Sequence, residues 1–161
     1  RACLEWRRTR IPQLLFDRDA YSPVQKILEG LPFEKVGERP AGLPHSIYEE
    51  LWHLNACQKL VLQEARGEQT PPFDESLVWP ANRKPRDEHE WEELLHTFFL
   101  GLDEAAGMAA QVEVLDQQLP DGTSVRGVLE DLLAHNSYHL GRLVVLRQLL
   151  GLWEGRQLRS E

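Results

Sequence analysis

From Val125 to Leu150 apolar residues recur at helical spacing: Val125, Val128, Leu132, Leu143, Leu146 and Leu150. At about 100° per residue they form one broad stripe, so this segment predicts a long amphipathic helix that must bury that face. His135 and His139 fall inside the stripe, roughly 40° apart around the axis. Burying two imidazoles obliges their ring nitrogens to find partners. Positions i and i+4 stack one above the other, so both rings can address a single ion. The competing reading is a pair of core histidines bonded to carbonyls, and spacing alone leaves both readings open.

The rest of the chain is punctuated in the same helical terms. Leu4, Trp6, Ile11, Leu14, Leu15 and Phe16 predict a first helix that Pro12 bends or restarts. It resumes with Ser22 as N-cap and Pro23 at the first helical position, and stops at Gly30. After a Pro- and Gly-rich connection, Ser46 followed by Glu49 is a capping-box signature opening a second helix to about Gly67. On that helix His53 lies between two apolar arcs; periodicity does not settle whether it faces inward, and taken alone it reads as a partly exposed helix residue. The loop 68–86 carries Phe73 and Trp79, aromatics expected to fold back over a core or a pocket. Asp87 and Glu90 open a third helix with Trp91, Leu94, Leu95, Phe98, Leu102, Ala105, Ala109 and Val112 on its buried face, leaving His89 and His96 toward solvent. Leu119-Pro120-Asp121-Gly122 is a turn, and Thr123 or Ser124 caps the last helix, which ends near Gly151. Gly127, Ala134 and Gly141 recur every seven residues on its flank, small enough to admit a neighbouring helix within the domain or across a dimer. No strand pattern appears, so the expected fold is an all-α four-helix bundle, one domain over residues 1–161.

Composition narrows the function. A net charge of −8 argues against a nucleic-acid surface, which needs clustered Lys and Arg. No apolar run is long enough to span a membrane. Two cysteines, Cys3 and Cys57, make no disulfide framework and suit a reduced cytoplasmic protein, with Cys57 a small buried hydrophobe on the second helix.

The order of motifs is also specific. A helix carrying His-Ser-Ile-Tyr-Glu-Glu-Leu-Trp-His (His45 to His53) is followed by Trp79-Pro80, then by a Pro…Glu-Trp helix start (Pro85 to Trp91). The run His-Asn-Ser-Tyr-His-Leu-Gly-Arg-Leu-Val-Val-Leu-Arg-Gln-Leu-Leu-Gly comes last (His135 to Gly151). Over about residues 20 to 153 this resembles the DinB-like superfamily, which includes bacillithiol S-transferases of similar fold. The resemblance implies a four-helix bundle holding a divalent metal through one histidine of the second helix and two of the fourth. Here these are His53, His135 and His139, so the resemblance turns His53 inward. It implies zinc or nickel, with iron or manganese as lesser possibilities. It also implies a metal-dependent thiol S-transferase in stress or detoxification, acting with a low-molecular-weight thiol; a homodimer is the expected assembly.

Three neutral imidazoles leave an ion its full charge and open positions, as in catalytic rather than structural sites. Asp131, one turn before His135, is either a surface carboxylate or a group orienting that ring. His45 is expected to hydrogen-bond locally where the second helix begins. Asn136 occupies the place where a zinc-protease helix carries its Glu, so peptidase activity is rejected. The alternatives are a metal-dependent hydrolase and a non-catalytic metal-binding stress protein. A di-iron site built on Glu50…His53 and Glu93…His96 matches in letters, but Glu93 and His96 point away from the core stripe.

Overall fold

A computed structural model describes residues 23–72 and 74–153. The fold is all-α. In chain order it contains α1 (Val24–Leu28), α2 (Phe33–Val36), α3 (Ile47–Ala65), a single 3-10 turn (Glu75–Leu77), α4 (Glu88–Ala109), α5 (Val112–Leu115) and α6 (Val125–Leu149). The long helices α3, α4 and α6 are the second, third and fourth of the bundle. The expected first helix is described only from Pro23 onward, where α1 lies; Pro12, Ser22 and the apolar groups before them lie outside the described residues, as does Phe73. Pro23 occupies the N-cap of α1 rather than its first helical position. Among the described residues no helix is long and apolar enough to cross a membrane.

The helix starts follow local chemistry. Ser46 accepts from the Glu49 amide while the Glu49 carboxylate accepts from the Ser46 amide, completing the capping box of α3. Asp87 caps α4 by accepting from the Glu90 amide. The Glu90 carboxylate does not reciprocate; it accepts from the Arg86 amide and from Tyr48 Oη of α3. Ser124 caps α6 through the Gly127 amide, after a turn in which Gly122 adopts φ +88°. The third helix is shorter than its apolar periodicity suggests. It ends at Ala109, and Val112 begins the separate helix α5, which buries Leu115.

Two apolar clusters make the core. One gathers Leu51, Leu54, Trp91, Phe98, Leu102, Leu143 and Leu146 with α1; the other gathers Leu62, Ala65, Ala105, Ala109, Leu129 and Leu132. The centres of α3 and α6 lie at the junction between them. Helix α3 is clamped to α4 where the Gln58 amide lies over Gly101 and donates to the Phe98 carbonyl at 3.0 Å. A Cβ at position 101 would lie 2.1 Å from Gln58 Nε2, so any larger residue there must displace the Gln58 amide. The end of α6 is fixed by a Schellman turn, with Leu152 N to Arg147 O at 2.7 Å and Gly151 at φ +71°. Leu152 and Trp153 pack back on the first cluster. The buried Arg147 donates to the carbonyls of Ile27 and Glu29 at the end of α1, tying the first bundle element to the fourth.

Among the described residues no neighbouring helix packs against the small residues Gly127, Ala134 and Gly141. A Cβ at Gly141 would meet nothing within 4 Å, one at Gly127 would meet only Ser124 Oγ, and Ala134 is exposed.

Candidate metal centre

The packing of α3 against α6 brings His53, His135 and His139 to one point between the apolar clusters. Each offers a ring nitrogen, and the three nitrogens lie within 4.8 Å of one another, an arrangement that can hold a metal ion. His53 Nε2 is 3.1 Å from His135 Nε2. Two donors on a tetrahedral ion at about 2.0–2.1 Å would sit roughly 3.3 Å apart, so the donor spacing fits. His53 and His139 are each 7% exposed, and His135 is half-buried.

The surroundings decide which nitrogen each ring presents. His53 Nδ1 donates to the Val78 carbonyl at 2.8 Å. A carbonyl only accepts, so the proton is on Nδ1 and Nε2 carries a lone pair. Burial pushes the His53 pKa down to about 4, the Val78 carbonyl partly opposing and the two other histidines reinforcing the fall. The ring therefore stays neutral at physiological pH. His139 Nδ1 donates at 2.7 Å to Glu50 Oε2, a carboxylate with no exposure to solvent, and this frees His139 Nε2. Burial alone would raise the Glu50 pKa. Hydrogen bonds from His139 and Arg142, with the charge of Arg142, outweigh burial and hold it below the ordinary carboxylate range. Arg142 Nε meets Glu50 Oε1 at 2.8 Å, and Arg142 Nη1 donates to the Tyr138 hydroxyl at 3.2 Å.

His45 sits 3.2 Å from Glu50 Oε1 by Nδ1, the local bond expected of it. Its ring has a further role, stacking on Trp79 with centroids 3.8 Å apart. Trp79 stacks on His53 as well, at 4.0 Å and 10° between planes. The loop aromatic thus folds back as a lid on the histidine cluster. Cys57, one turn after His53, is half-buried, and its Sγ is 3.7 Å from His53 Nε2. Burial pushes its thiol up to about 11, so it remains protonated.

Asp131 does not orient His135. It is exposed, and His135 Nδ1 is buried with no hydrogen-bond partner among the described residues. The group that sequence reasoning missed is Glu50. Its signal was the Glu-x-x-His spacing to His53, read there as one half of a di-iron motif. The other half is on the surface: Glu93 and His89 form an exposed pair at 3.4 Å, and His96 is exposed.

A hollow of about 260 Å³ beside the cluster is lined by Leu43, His45, Tyr138, Arg142 and Val145. A larger hollow of about 680 Å³ between α3 and α4 includes none of the three histidines. Donor chemistry rather than size marks the site.

The family model for the DinB superfamily matches residues 17–143. No curated protein and no solved structure matches the chain.

Proposed function

The chain belongs to the DinB superfamily, and on that premise we propose that His53, His135 and His139 bind one divalent ion, zinc or nickel, to activate a low-molecular-weight thiol for transfer to an electrophile. The observation that carries the reading is the commitment of His53 Nδ1 to Val78 O and of His139 Nδ1 to Glu50. It leaves neutral Nε2 lone pairs facing a common point, and three neutral ligands leave coordination positions open. A divalent ion held there lowers the pKa of a thiol that binds it and so favours the nucleophilic thiolate.

The chain's own residues supply the rest. Trp79 and His45 cover one side of the cluster, Arg142 and Tyr138 line the hollow beside it, and Leu43 and Val145 make that hollow apolar. In the transfer the thiol proton passes to solvent. The sulfur lone pair forms a bond to the electrophilic carbon, and the leaving group departs with its bonding electrons. Thiol transfer is favoured over hydrolysis because Glu50, the carboxylate beside the cluster, is committed to His139 and Arg142 and is not free as a general base for water.

The test uses zinc-loaded protein, cysteine as the thiol and chlorodinitrobenzene as the electrophile. Conjugation faster than with the metal-free protein, lost in His139→Ala, is the expected result. Equal rates with and without zinc across a panel of small thiols would refute the transferase. Zinc binding with a raised melting temperature but no turnover would favour a structural metal.

A further inference from the structure

His135 and its neighbour Asn136 contain an unexplained group of buried polar atoms. His135 Nδ1, Asn136 Oδ1 and Asn136 Nδ2 are each shielded from solvent, and none has a hydrogen-bond partner among the described residues. Asn136 is 3% exposed, and it stands in the core stripe of α6 with Leu129, Leu132, His139 and Leu143. Leaving a buried amide unpaired forfeits its hydration with nothing in return. A hydrophobic residue of similar size would avoid that cost at a position otherwise lined by leucines.

The other two rings suggest the role. Each has its outer nitrogen held, His53 by the Val78 carbonyl and His139 by Glu50. A metal-binding histidine almost always donates its other N–H to such a partner, which fixes the tautomer and the ring orientation. Only His135 lacks one. Without an ion, the 3.1 Å contact between the Nε2 atoms of His53 and His135 requires a proton on His135, because His53 carries its own on Nδ1. For His135 to act as a ligand, that proton must sit on Nδ1, where an acceptor is needed. We infer that Asn136 is the positioning residue for His135: its amide oxygen accepts the Nδ1 proton and holds the ring with Nε2 toward the ion. The sequence places Asn136 where a zinc protease has its catalytic Glu; its role here is instead to hold a ligand.

This inference rests on the metal reading above, and the experiment separates the two. Zinc affinity is measured by competition with a chromophoric chelator for the wild type, Asn136→Leu and Asn136→Asp, alongside the melting temperature of each metal-free form. Asn136→Leu should lose 10–100-fold in zinc affinity while its metal-free melting temperature holds or rises, because two unpaired polar atoms have been removed. Asn136→Asp, which keeps an acceptor, should bind within about threefold of the wild type. If Asn136→Leu does not fold, Asn136→Ala makes the same comparison. Unchanged zinc affinity in the apolar variant, or a fall in its metal-free stability with affinity intact, would overturn the inference and leave the metal site standing. A wild type that binds no zinc would overturn both.

Discussion

Substituting Glu50 by Gln keeps the size of the side chain and removes one charge, and the structure dictates an uneven result. Oε2 accepts from His139 Nδ1 at 2.7 Å and Oε1 from Arg142 Nε at 2.8 Å. A glutamine has only one oxygen, so its NH₂ group must face one of these donors. Placed toward Arg142, it costs the guanidinium its acceptor. Arg142 is about one-third exposed and can turn to water, which discounts the loss. Placed toward His139, the amide donates to Nδ1 and forces the ring proton onto Nε2, destroying the lone pair a metal needs. Charge-assisted hydrogen bonds contribute about 1.5–3 kcal/mol each, so with the Arg142 discount the metal-free variant should lose about 2–3 kcal/mol. For a chain of this length that is a fall of roughly 5–10 °C in Tm. Zinc affinity should fall 10–100-fold. Thermal denaturation followed by circular dichroism reads the first effect and chelator competition the second, with the exposed Glu93→Gln as a control expected to change neither. A Glu50→Gln protein with zinc affinity within about threefold of the wild type would refute the claim that Glu50 sets the His139 tautomer.

Trp79→Ala removes the ring stacked on His45 and His53. Because Trp79 is only half-buried, the loss should be about 2 kcal/mol, below the range for a core aromatic, and zinc should dissociate faster in stopped-flow chelation. Arg147→Met leaves the α1 carbonyls of Ile27 and Glu29 without their donor; a loss of about 2–3 kcal/mol should appear as a lower Tm, with the earliest hydrogen exchange in Val24–Leu28. The metal-free protein should lose stability as pH falls from 6.5 toward 4. His53 is depressed from 6.5 to about 4 in the fold, so in that window the unfolded chain binds the proton first. The stabilisation is full above 6.5, and the part lost by pH 4 is about 3 kcal/mol. Urea denaturation between these pH values checks the slope; stability that rose on acidification would contradict the assigned neutral ring.

The helix starts were legible in the sequence because caps are local. Ser46 with Glu49, Asp87 and Ser124 each bond an amide within three residues. The i, i+4 pair His135 and His139 was legible for the same reason. His53 was not, since its inward direction depends on how α3 packs on α6, and the family resemblance rather than periodicity pointed to it. The groups that hold the rings come from farther away. Val78 contributes a backbone carbonyl, which every residue possesses and no side-chain pattern reveals. Glu50 reaches His139 across the helix interface, and a carboxylate with no solvent exposure has no mark in sequence until its donors are known. Asp131 has a suitable spacing to His135 but is exposed to solvent. The stripe of Gly127, Ala134 and Gly141 shows the same weakness, as small residues permit a close approach without requiring one.

The central claim is that three imidazoles from two helices hold one divalent cation through their Nε2 atoms. X-ray absorption on the stoichiometrically zinc-loaded protein tests it most directly, because the first coordination shell is read without reference to activity. Three imidazole nitrogens at about 2.0–2.1 Å, the remaining positions filled by light atoms and no sulfur shell, is the predicted result. A sulfur shell at about 2.3 Å would bring Cys57 into the coordination sphere, and a shell with fewer than three imidazoles would contradict the claim outright.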